Sequence, residues 1–135
     1  MLRVADGRDE LGVVDDQIGN PTSAHDIAVG VLDIAMQTAS LSDWQNGIYH
    51  MTGAGGASWA DFAEFIFEAS VTLGGPTANV KRITSAQYPT PVMRPSNSRL
   101  NCRKLSENFG VTLPAWQGST LACVSELIRT RGWSA

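Results

Sequence analysis

Cysteine and histidine are scarce in this sequence. The 135 residues include two cysteines, Cys102 and Cys123, and two histidines, His25 and His50. Two cysteines are too few for a disulfide scaffold, and their spacing is not that of a zinc knuckle, so we interpret both as reduced thiols. Neither histidine has a second His, Cys or carboxylate at a spacing diagnostic of zinc. The sequence therefore excludes a disulfide framework and predicts no zinc site.

Long apolar runs are also absent. The two longest, residues 27–36 and 62–67, are interrupted by Asp33 and Glu64, and a membrane-spanning helix needs about 20 consecutive apolar residues. The first ten residues contain no apolar segment of the kind found in a signal peptide. We therefore expect no membrane partner and a cytoplasmic location.

What the sequence does contain is typical of one globular domain. It is 43% hydrophobic and 17% charged, with a formal net charge of −3. A chain of this length buries roughly 70% of the surface that its unfolded form exposes, which is enough for one core. This composition excludes intrinsic disorder.

The small net charge conceals a large asymmetry between the two halves. Residues 1–68 contain 11 acids and 2 bases, whereas residues 69–135 contain 8 bases and 2 acids. Between residues 69 and 106 there are six bases and no acid. Two interpretations stay open: the basic half attracts an anionic ligand, or it neutralises the acidic half across an internal interface.

Turn and capping signals divide the chain into alternating strands and helices. Ser23 with Asp26, and Ser58 with Asp61, form the spacing of a capping box and predict two helix starts. Three prolines in residues 88–95 predict an extended segment. The predicted elements are strands at 11–14, 47–51 and 80–83, a structured loop at 15–22, and helices at 23–37, from Ser58 to Gly74, at 103–109 and from Pro114 onward.

Apolar spacing within each predicted helix indicates the face that it buries. The expected buried residues are Ile27, Val31, Ile34 and Ala35 in the first helix, Phe62, Phe65, Ile66 and Ala69 in the second, and Leu121, Val124 and Ile128 in the last. His50 is expected inside the strand at 47–51. The four tryptophans, Trp44, Trp59, Trp116 and Trp133, are interpreted mainly as packing residues, although each has a ring that stacks on a sugar or base.

The glycine-rich segment from Gly53 to Ser58 resembles two known motifs incompletely. It follows a predicted strand and precedes a helix, as a dinucleotide fingerprint does, but the third glycine and the later acidic residue are missing. It also resembles a nucleophile elbow whose last glycine is replaced, and Ser58 is already explained as a helix cap. We interpret the segment as a flexible turn.

The segment from Arg94 to Arg99 is the strongest candidate binding segment. It places a guanidinium, an amide and a hydroxyl, those of Arg94, Asn97 and Ser98, next to Pro95. Such a donor set fits phosphate or sugar oxygens. The alternative is a turn whose polar side chains cap the helix near Arg103, and the sequence leaves both interpretations open.

Six short motifs in register make the sequence recognisable. They are DDQIGNPT from residue 15, GIYH from 47, SWADFA from 58, YPTP from 88, RPSNSRL from 94 and LPAWQ from 113. Together they resemble the C-terminal part of the dTDP-4-dehydrorhamnose reductase family of extended short-chain dehydrogenases/reductases. The resemblance covers nearly the whole chain.

The resemblance implies a fold and a division of the chain. The expected fold class is α/β: the substrate-binding region of an extended Rossmann-type reductase, with edge elements of the cofactor domain and without the cofactor-binding half. Residues 1–135 would form a single fragment. Residues 1–22 would be the end of the cofactor-domain region with the substrate loop, and residues 23–135 the substrate-binding region.

The resemblance also implies an activity, namely the NADPH-dependent reduction of dTDP-4-dehydro-L-rhamnose to dTDP-L-rhamnose. The family's glycine fingerprint and its catalytic Tyr-x-x-x-Lys do not occur here, because Tyr49 is followed four residues on by Gly53 and Tyr88 by Val92. The chain alone is therefore expected to be inactive and to have no catalytic residue, and NADPH would be bound by the other half.

The resemblance implies which residues contact the dTDP-sugar. Gln17, Gly19, Pro21 and Thr22 match the loop that enters the substrate region, and Arg94, Asn97 and Ser98 match the motif expected near the diphosphate. Some relatives hold a metal such as magnesium between acidic residues near the positions of His25 and Glu126, and the histidine puts that site in doubt here. A homo-oligomer or a swapped dimer is expected.

Two other functions remain as alternatives. One is a non-catalytic or regulatory subunit of the same fold that binds a sugar nucleotide. The other is a small module that binds anions or nucleic acid through the basic half. Tyr88 is the only aromatic residue between positions 69 and 106, which argues against nucleic acid because RNA-binding surfaces interleave aromatic residues with bases.

Overall fold

The computed structural model describes residues 1–39 and 46–131 as an α/β fold. This confirms the fold class predicted from the sequence. The elements in chain order are α1 (Leu2–Ala5), β1 (Glu10–Val14), β2 (Ile18–Gly19), α2 (Ala24–Thr38), β3 (Ala57–Ser58), α3 (Trp59–Thr72), β4 (Asn79–Ile83), a 3-10 turn (Ser85–Gln87), α4 (Arg103–Phe109) and α5 (Trp116–Arg131).

Two small sheets organise the described residues. β1 and β4 pair in parallel, with Leu11 opposite Val80. α3 precedes β4 in the chain and lies in the connection between the two strands. β2 and β3 pair antiparallel, with Ile18 opposite Ser58. Because β2 follows β1 closely and β3 leads directly into α3, the second pair lies between the first strand and the start of α3.

The core lies beneath α3. Ala60 and Ala63 on this helix are completely buried, and they belong to one apolar cluster with residues of α1, β1 and α5. Phe65 contacts Trp116 edge to face, with ring centroids 5.0 Å apart, which joins α3 to the start of α5. Small alanines let neighbouring elements approach α3 closely, and the aromatic pair fills the remaining space.

Three predicted helix ends are confirmed, whereas α5 begins at Trp116 and not at the predicted Pro114. Ser23 caps α2 by accepting a hydrogen bond from the backbone N–H of Asp26. Ser58 and Asp61 form a reciprocal capping box at α3. α4 ends at Gly110, whose φ of 65° lies in the left-handed region that glycine adopts without strain. The strands predicted at 11–14 and 80–83 correspond to β1 and β4.

The predicted strand at 47–51 is wrong. Residues 46–53 form no strand, Ile48 is 82% exposed, and His50 is exposed rather than inside a sheet. Strand formation requires a neighbouring backbone to complete the hydrogen-bond ladder, and none of the described strands pairs with this segment.

The predicted buried face of α2 is also wrong. Gly30 is the buried residue of this helix, whereas Ile27, Val31 and Ala35 are exposed and Ile34 is half-buried. The side chains of Met51 and Leu113 pack closely over Gly30, so the helix contacts the rest of the molecule through its smallest residue. In α5, Val124 and Ile128 are buried as predicted, but Leu121 is exposed.

The remaining predictions concern the proline-rich segment, the tryptophans and membrane-spanning helices. Residues 88–95 form neither helix nor strand and are exposed. Trp44 and Trp133 lie outside the described residues. No helix in the described ranges is long and apolar enough to cross a membrane.

Candidate functional site

A cavity of about 460 Å³ lies where three loop segments meet beside the β2 and β3 pair. The first segment is the loop 17–22 after β1, and the second is residues 52–62, which lead into β3 and α3. The third is residues 98–100, which follow Arg94 in the chain. The cavity is lined by Gln17, Gly19, Asn20, Pro21, Thr22, Thr52, Ala57, Ser58, Trp59, Phe62, Ser98 and Leu100. Its size is within the range of small-molecule sites in proteins.

Backbone hydrogen bonds hold two of these segments together. The N–H of Ile18 donates to the carbonyl of Ser96 at 2.8 Å, and the N–H of Ser98 donates to the carbonyl of Ile18 at 2.8 Å. Asn20 extends the contact, because its Oδ1 accepts from the N–H of Leu100 at 2.9 Å. A segment without regular secondary structure is thereby fixed against the loop after β1.

The third segment is held by close backbone approach. The Nδ2 of Asn20 donates to the carbonyl of Gly55 at 2.7 Å, and the N–H of Gly53 donates to Thr22 Oγ1 at 3.1 Å. A Cβ at Gly53 would lie 2.5 Å from the carbonyl oxygen of Pro21. Only glycine fits at this position without a shift of the backbone.

Most of the residues predicted to contact substrate come together here. Gln17, Gly19, Pro21, Thr22 and Ser98 all line the cavity. A Cβ at Gly19 would lie 3.0 Å from Ser98 Oγ, which shows how closely the two predicted motifs approach each other. The sequence placed these motifs about 80 residues apart without linking them.

Arg94 and Asn97 do not line the cavity. Asn97 Oδ1 instead accepts from Arg99 Nε at 3.0 Å and from the Arg99 backbone N–H at 3.2 Å. Arg94 is exposed, and among the described residues it makes no hydrogen bond or ion pair. The alternative that polar side chains of this turn cap the helix near Arg103 is not observed for Asn97 or Ser98, since Asn101 Oδ1 accepts from the Arg103 N–H.

An ion-pair cluster supports the cavity wall formed by Ser58. Arg82 on β4 contacts Asp15 at 2.8 Å, Asp61 at 2.8 Å and Glu64. Ser58 Oγ donates to Asp15 Oδ1 at 2.8 Å, so the cluster joins the end of β1 to the start of α3. Arg82 therefore pairs a base of the second half with three acids of the first, which agrees with one of the two interpretations of the charge asymmetry.

The hydrogen bonds of this cluster shift the pKa values of Asp61 and Arg82. The backbone N–H of Ser58, followed by Arg82, holds the pKa of the Asp61 carboxyl below its ordinary value, and burial opposes the shift. The hydrogen bonds that Arg82 donates to Glu64 and Asp61 raise the pKa of its guanidinium. Asp61 and Arg82 are therefore both charged across the neutral range.

A second polar group orients Gln17. Gln17 Nε2 donates to Ser85 Oγ at 2.9 Å, and Ser85 Oγ donates to Asp16 Oδ1 at 2.6 Å. The Ser85 hydroxyl and backbone N–H lower the pKa of Asp16. The carboxylate of Asp16 thus orients the hydroxyl of Ser85, and this hydroxyl in turn orients the side-chain amide of Gln17.

Sequence reasoning missed seven of the lining residues, and Asn20, Thr52 and Trp59 are among them. Asn20 belongs to a quoted motif, and its Asn-Pro step was interpreted as a turn signal alone. Trp59 is 47% exposed although it was interpreted as a packing residue. No signal in the sequence distinguishes it from Trp116, which is 7% exposed.

The glycine-rich segment does not fit a dinucleotide. The backbone N–H of Gly53 donates to Thr22, and that of Ala54 donates to the carbonyl of Pro114 at 2.9 Å. A phosphate cradle requires free backbone N–H groups aimed at the ligand. The first two of these groups, those of Gly53 and Ala54, are used within the protein.

His25 and Glu126 lie on one larger cavity of about 1020 Å³ between α2, α3 and α5. The Glu126 carboxylate is paired with Arg129, at 2.7 Å. The described residues contain no group of three or more His, Cys, Asp or Glu side chains that would hold a metal ion.

The fold and the cavity define a class. A parallel strand pair is flanked by helices, and loops that follow the strand ends form the binding cavity, as in α/β proteins that take ligands outside the carboxyl ends of their strands. Residues 1–129 match the model of the RmlD substrate binding domain. The chain belongs to this family.

Known relatives are similar over nearly all of the chain. A dTDP-4-dehydrorhamnose reductase of Sinorhizobium fredii is 49% identical over 129 residues, which are 95% of this chain and 44% of that protein. A crystal structure of a dTDP-4-dehydrorhamnose reductase ortholog from Clostridium acetobutylicum superposes with a TM-score of 0.77 at 31% identity, covering 96% of this chain and 41% of that one.

A third relative was solved with a cofactor. The dTDP-4-dehydrorhamnose reductase of Bacillus anthracis, in complex with NADP, superposes with a TM-score of 0.74 at 28% identity over 87% of this chain and 38% of its own. The chain therefore spans less than half the length of the relatives that it matches.

Proposed function

We propose that this chain is the substrate-binding part of an NADPH-dependent dTDP-4-dehydrorhamnose reductase, which reduces dTDP-4-dehydro-L-rhamnose to dTDP-L-rhamnose. In this proposal the chain itself binds the sugar nucleotide. The observation that carries it is the cavity in which Gln17, Gly19, Pro21, Thr22 and Ser98 come together. The family match over residues 1–129 supports the same ligand class.

The proposed contacts fall into two groups. The cavity-lining residues named above would enclose the ligand. Arg94 and Asn97 would act at the exposed end, where a diphosphate projects towards solvent, because the segment that carries them is pinned to Ile18 beside the cavity. An exposed guanidinium without an internal partner is available for a phosphate.

The proposal assigns NADPH to residues other than those described here. A relative was solved with NADP, but the backbone N–H groups of Gly53 and Ala54 are already used within the protein. The sequence also contains no Tyr-x-x-x-Lys. The role proposed for these residues is to bind and orient the sugar nucleotide, in a cytoplasmic enzyme.

A non-catalytic subunit that binds the same ligand is the second candidate. The cavity would serve such a subunit equally, and the chimera described below separates the two candidates. A module for nucleic acid is less well supported, because Arg82 and Lys81 of the basic half are paired with carboxylates.

Two measurements test the proposal. Calorimetric titration of the chain with dTDP-rhamnose should show binding, with weaker or no binding of free rhamnose, and NADPH oxidation by the chain alone should be undetectable. A chimera in which this chain replaces the matching segment of the Sinorhizobium fredii relative should reduce the 4-keto sugar nucleotide. No binding of dTDP-rhamnose to either protein would reject the proposal, and binding without reduction by the chimera would favour the non-catalytic subunit.

A further inference from the structure

Trp59 presents an aromatic ring that the fold does not use. It is the first residue of α3 and lines the cavity, yet it is 47% exposed. Trp116 is 7% exposed and contacts Phe62 and Phe65 edge to face. Among the described residues the indole of Trp59 makes no such ring contact. Core packing therefore explains Trp116 and leaves Trp59 unexplained.

The hydroxyl groups around Trp59 are already engaged inside the protein. Thr22 Oγ1 donates to the backbone carbonyl two residues earlier, at 2.8 Å. Ser98 Oγ donates to the carbonyl of Ile18 at 3.2 Å. Ser58 Oγ donates to Asp15 at 2.8 Å. Each hydroxyl has only one proton to donate, so these three give none to a ligand.

The remaining polar side chains of the cavity are only partly committed, because the amide NH2 groups of Asn20 and Gln17 each have two protons and use one within the protein. Asn20 uses its Nδ2 and its Oδ1 in protein contacts, and the Thr52 hydroxyl pairs with the thiol of Cys102 at 3.3 Å. Gln17 gives one Nε2 proton to Ser85. Its Oε1 has no partner among the described residues, and it is an acceptor for one N–H of a ligand.

This distribution favours a flat ring over a polyhydroxylated one. The several hydroxyls of a pyranose are matched best by groups that both donate and accept, and the three cavity hydroxyls have no proton left to donate. A pyrimidine base has a planar π-face, few polar groups and one ring N–H when it is thymine. An exposed indole stacks on any base through that face.

We propose that Trp59 is the stacking surface for the pyrimidine base of the dTDP group. The inference rests on the proposed function, because it assigns the base to the same cavity. The pyranose and the diphosphate then lie towards the open side, where Arg94 is exposed. Trp59 thus contributes to binding of the nucleotide and takes no part in the reduction.

Calorimetry with two probes tests this assignment in the intact chain. The probes are dTDP, which has the base and no pyranose, and dTDP-rhamnose. Trp59→Ala should weaken binding of both by the same factor, about ten- to a hundredfold. Trp59→Phe keeps an aromatic face and should recover much of the affinity, whereas Trp59→Leu keeps apolar bulk without one and should not. Tyr88→Ala is the matched control, because Tyr88 is exposed and lies outside the cavity.

Fluorescence gives a second readout that a purely structural role would not move. Saturating dTDP should quench the emission of the wild-type chain, and the quench should be lost in Trp59→Phe. Melting curves identify any variant that fails to fold, and Trp59→Leu then replaces Trp59→Ala.

Three results would overturn the inference. Equal affinity of wild type and the folded Trp59 variants for dTDP would remove the residue from the base site and leave the proposed function standing. A loss confined to dTDP-rhamnose would assign the indole to the pyranose instead. If the wild-type chain binds neither probe, the proposed function fails in this chain and the assignment of Trp59 falls with it.

Discussion

The arginines of this chain differ in what surrounds them. Arg82 contacts three carboxylates, those of Asp15, Asp61 and Glu64, and these contacts raise its pKa. Arg94 is exposed without a hydrogen bond or ion pair among the described residues. Pairing with internal acids is thus observed for Arg82, whereas anion binding is a proposal for Arg94.

At Arg94, an alanine substitution separates ligand binding from folding. Arg94→Ala should weaken dTDP-rhamnose binding by about 1.5 to 3 kcal/mol, the usual contribution of hydrogen bonds to a charged group. The melting temperature should not change, because the side chain has no internal partner. Arg94→Lys retains the charge but not the planar fork, so it should recover only part of the loss. Calorimetric titration beside a melting curve measures both quantities.

Arg103→Ala is the matched control for Arg94, since Arg103 is an exposed arginine paired with Glu107 on α4. Its effect on ligand affinity should be small. Normal affinity in folded Arg94→Ala, or a lower melting temperature with normal affinity, would show that Arg94 does not contact the ligand.

At the scale of elements, the start of α3 combines a helix cap with an ion pair. Ser58 and Asp61 exchange hydrogen bonds in the capping box, and Asp61 also contacts Arg82 on β4. The helix is thereby fixed to the β1 and β4 pair at the same residues that form the cavity wall. We expect the cavity to depend on this junction.

The lowered pKa of Asp61 predicts a pH-dependent contribution to stability. Because its pKa is lower in the folded chain than in the unfolded one, the contribution is complete above the unfolded value, near pH 4, and is lost as the pH falls through the folded value. Asp61→Asn should reduce stability by about 0.5 to 1 kcal/mol at pH 7, the scale of exposed ion pairs. The difference from wild type should shrink as the pH falls below the unfolded value and through the folded one.

Melting curves of wild type and variant between pH 7 and about pH 3 measure this contribution. Asp33→Asn is the control, because Asp33 is an exposed aspartate of α2 without an ion pair among the described residues. A deficit in Asp61→Asn that stays constant over the whole pH range would contradict the proposed charge effect and point to lost packing.

The sequence predicts where helices begin and end better than it predicts which strands pair. Ser23, Ser58 and Gly110 act on their own helix ends, so local residue types suffice to locate them. The segment 47–51 has the composition of a strand, but a strand needs a partner that local sequence does not specify. β2 and β3 have two residues each, which is too short for an alternating pattern.

The candidate site likewise contains residues that the sequence predicts and a residue that it does not. Gln17 and Ser98 were predicted from motifs, and the cavity brings them together. Trp59 was missed because exposure depends on what the rest of the fold covers, and a tryptophan has the same side chain in a core as in a binding site.

At the scale of the whole molecule, the apolar surface of α2 is the largest departure from what the sequence predicts. Leu32 is 61% exposed, and Ile27, Val31 and Met36 are exposed with it. Apolar side chains concentrated on one exposed helix mark a surface that another surface covers. The chain spans only 44% of its relative from Sinorhizobium fredii, so contacts outside this chain, or with a second copy, would cover α2.

For the chain by itself, this surface predicts self-association. We expect light scattering at micromolar concentration to show a dimer or a larger species, because a second copy is then the only available partner for the exposed face of α2. Leu32→Lys should shift the chain towards monomer by placing a charge in the contact.

Val92→Lys is the control, since Val92 is similarly exposed but lies in the irregular segment 88–95. A monomeric wild-type chain would contradict the prediction, and equal effects of the two lysine variants would show that association does not use α2. A change confined to Leu32→Lys would place the contact on α2, whose N-terminal turn follows directly from Thr22 at the cavity.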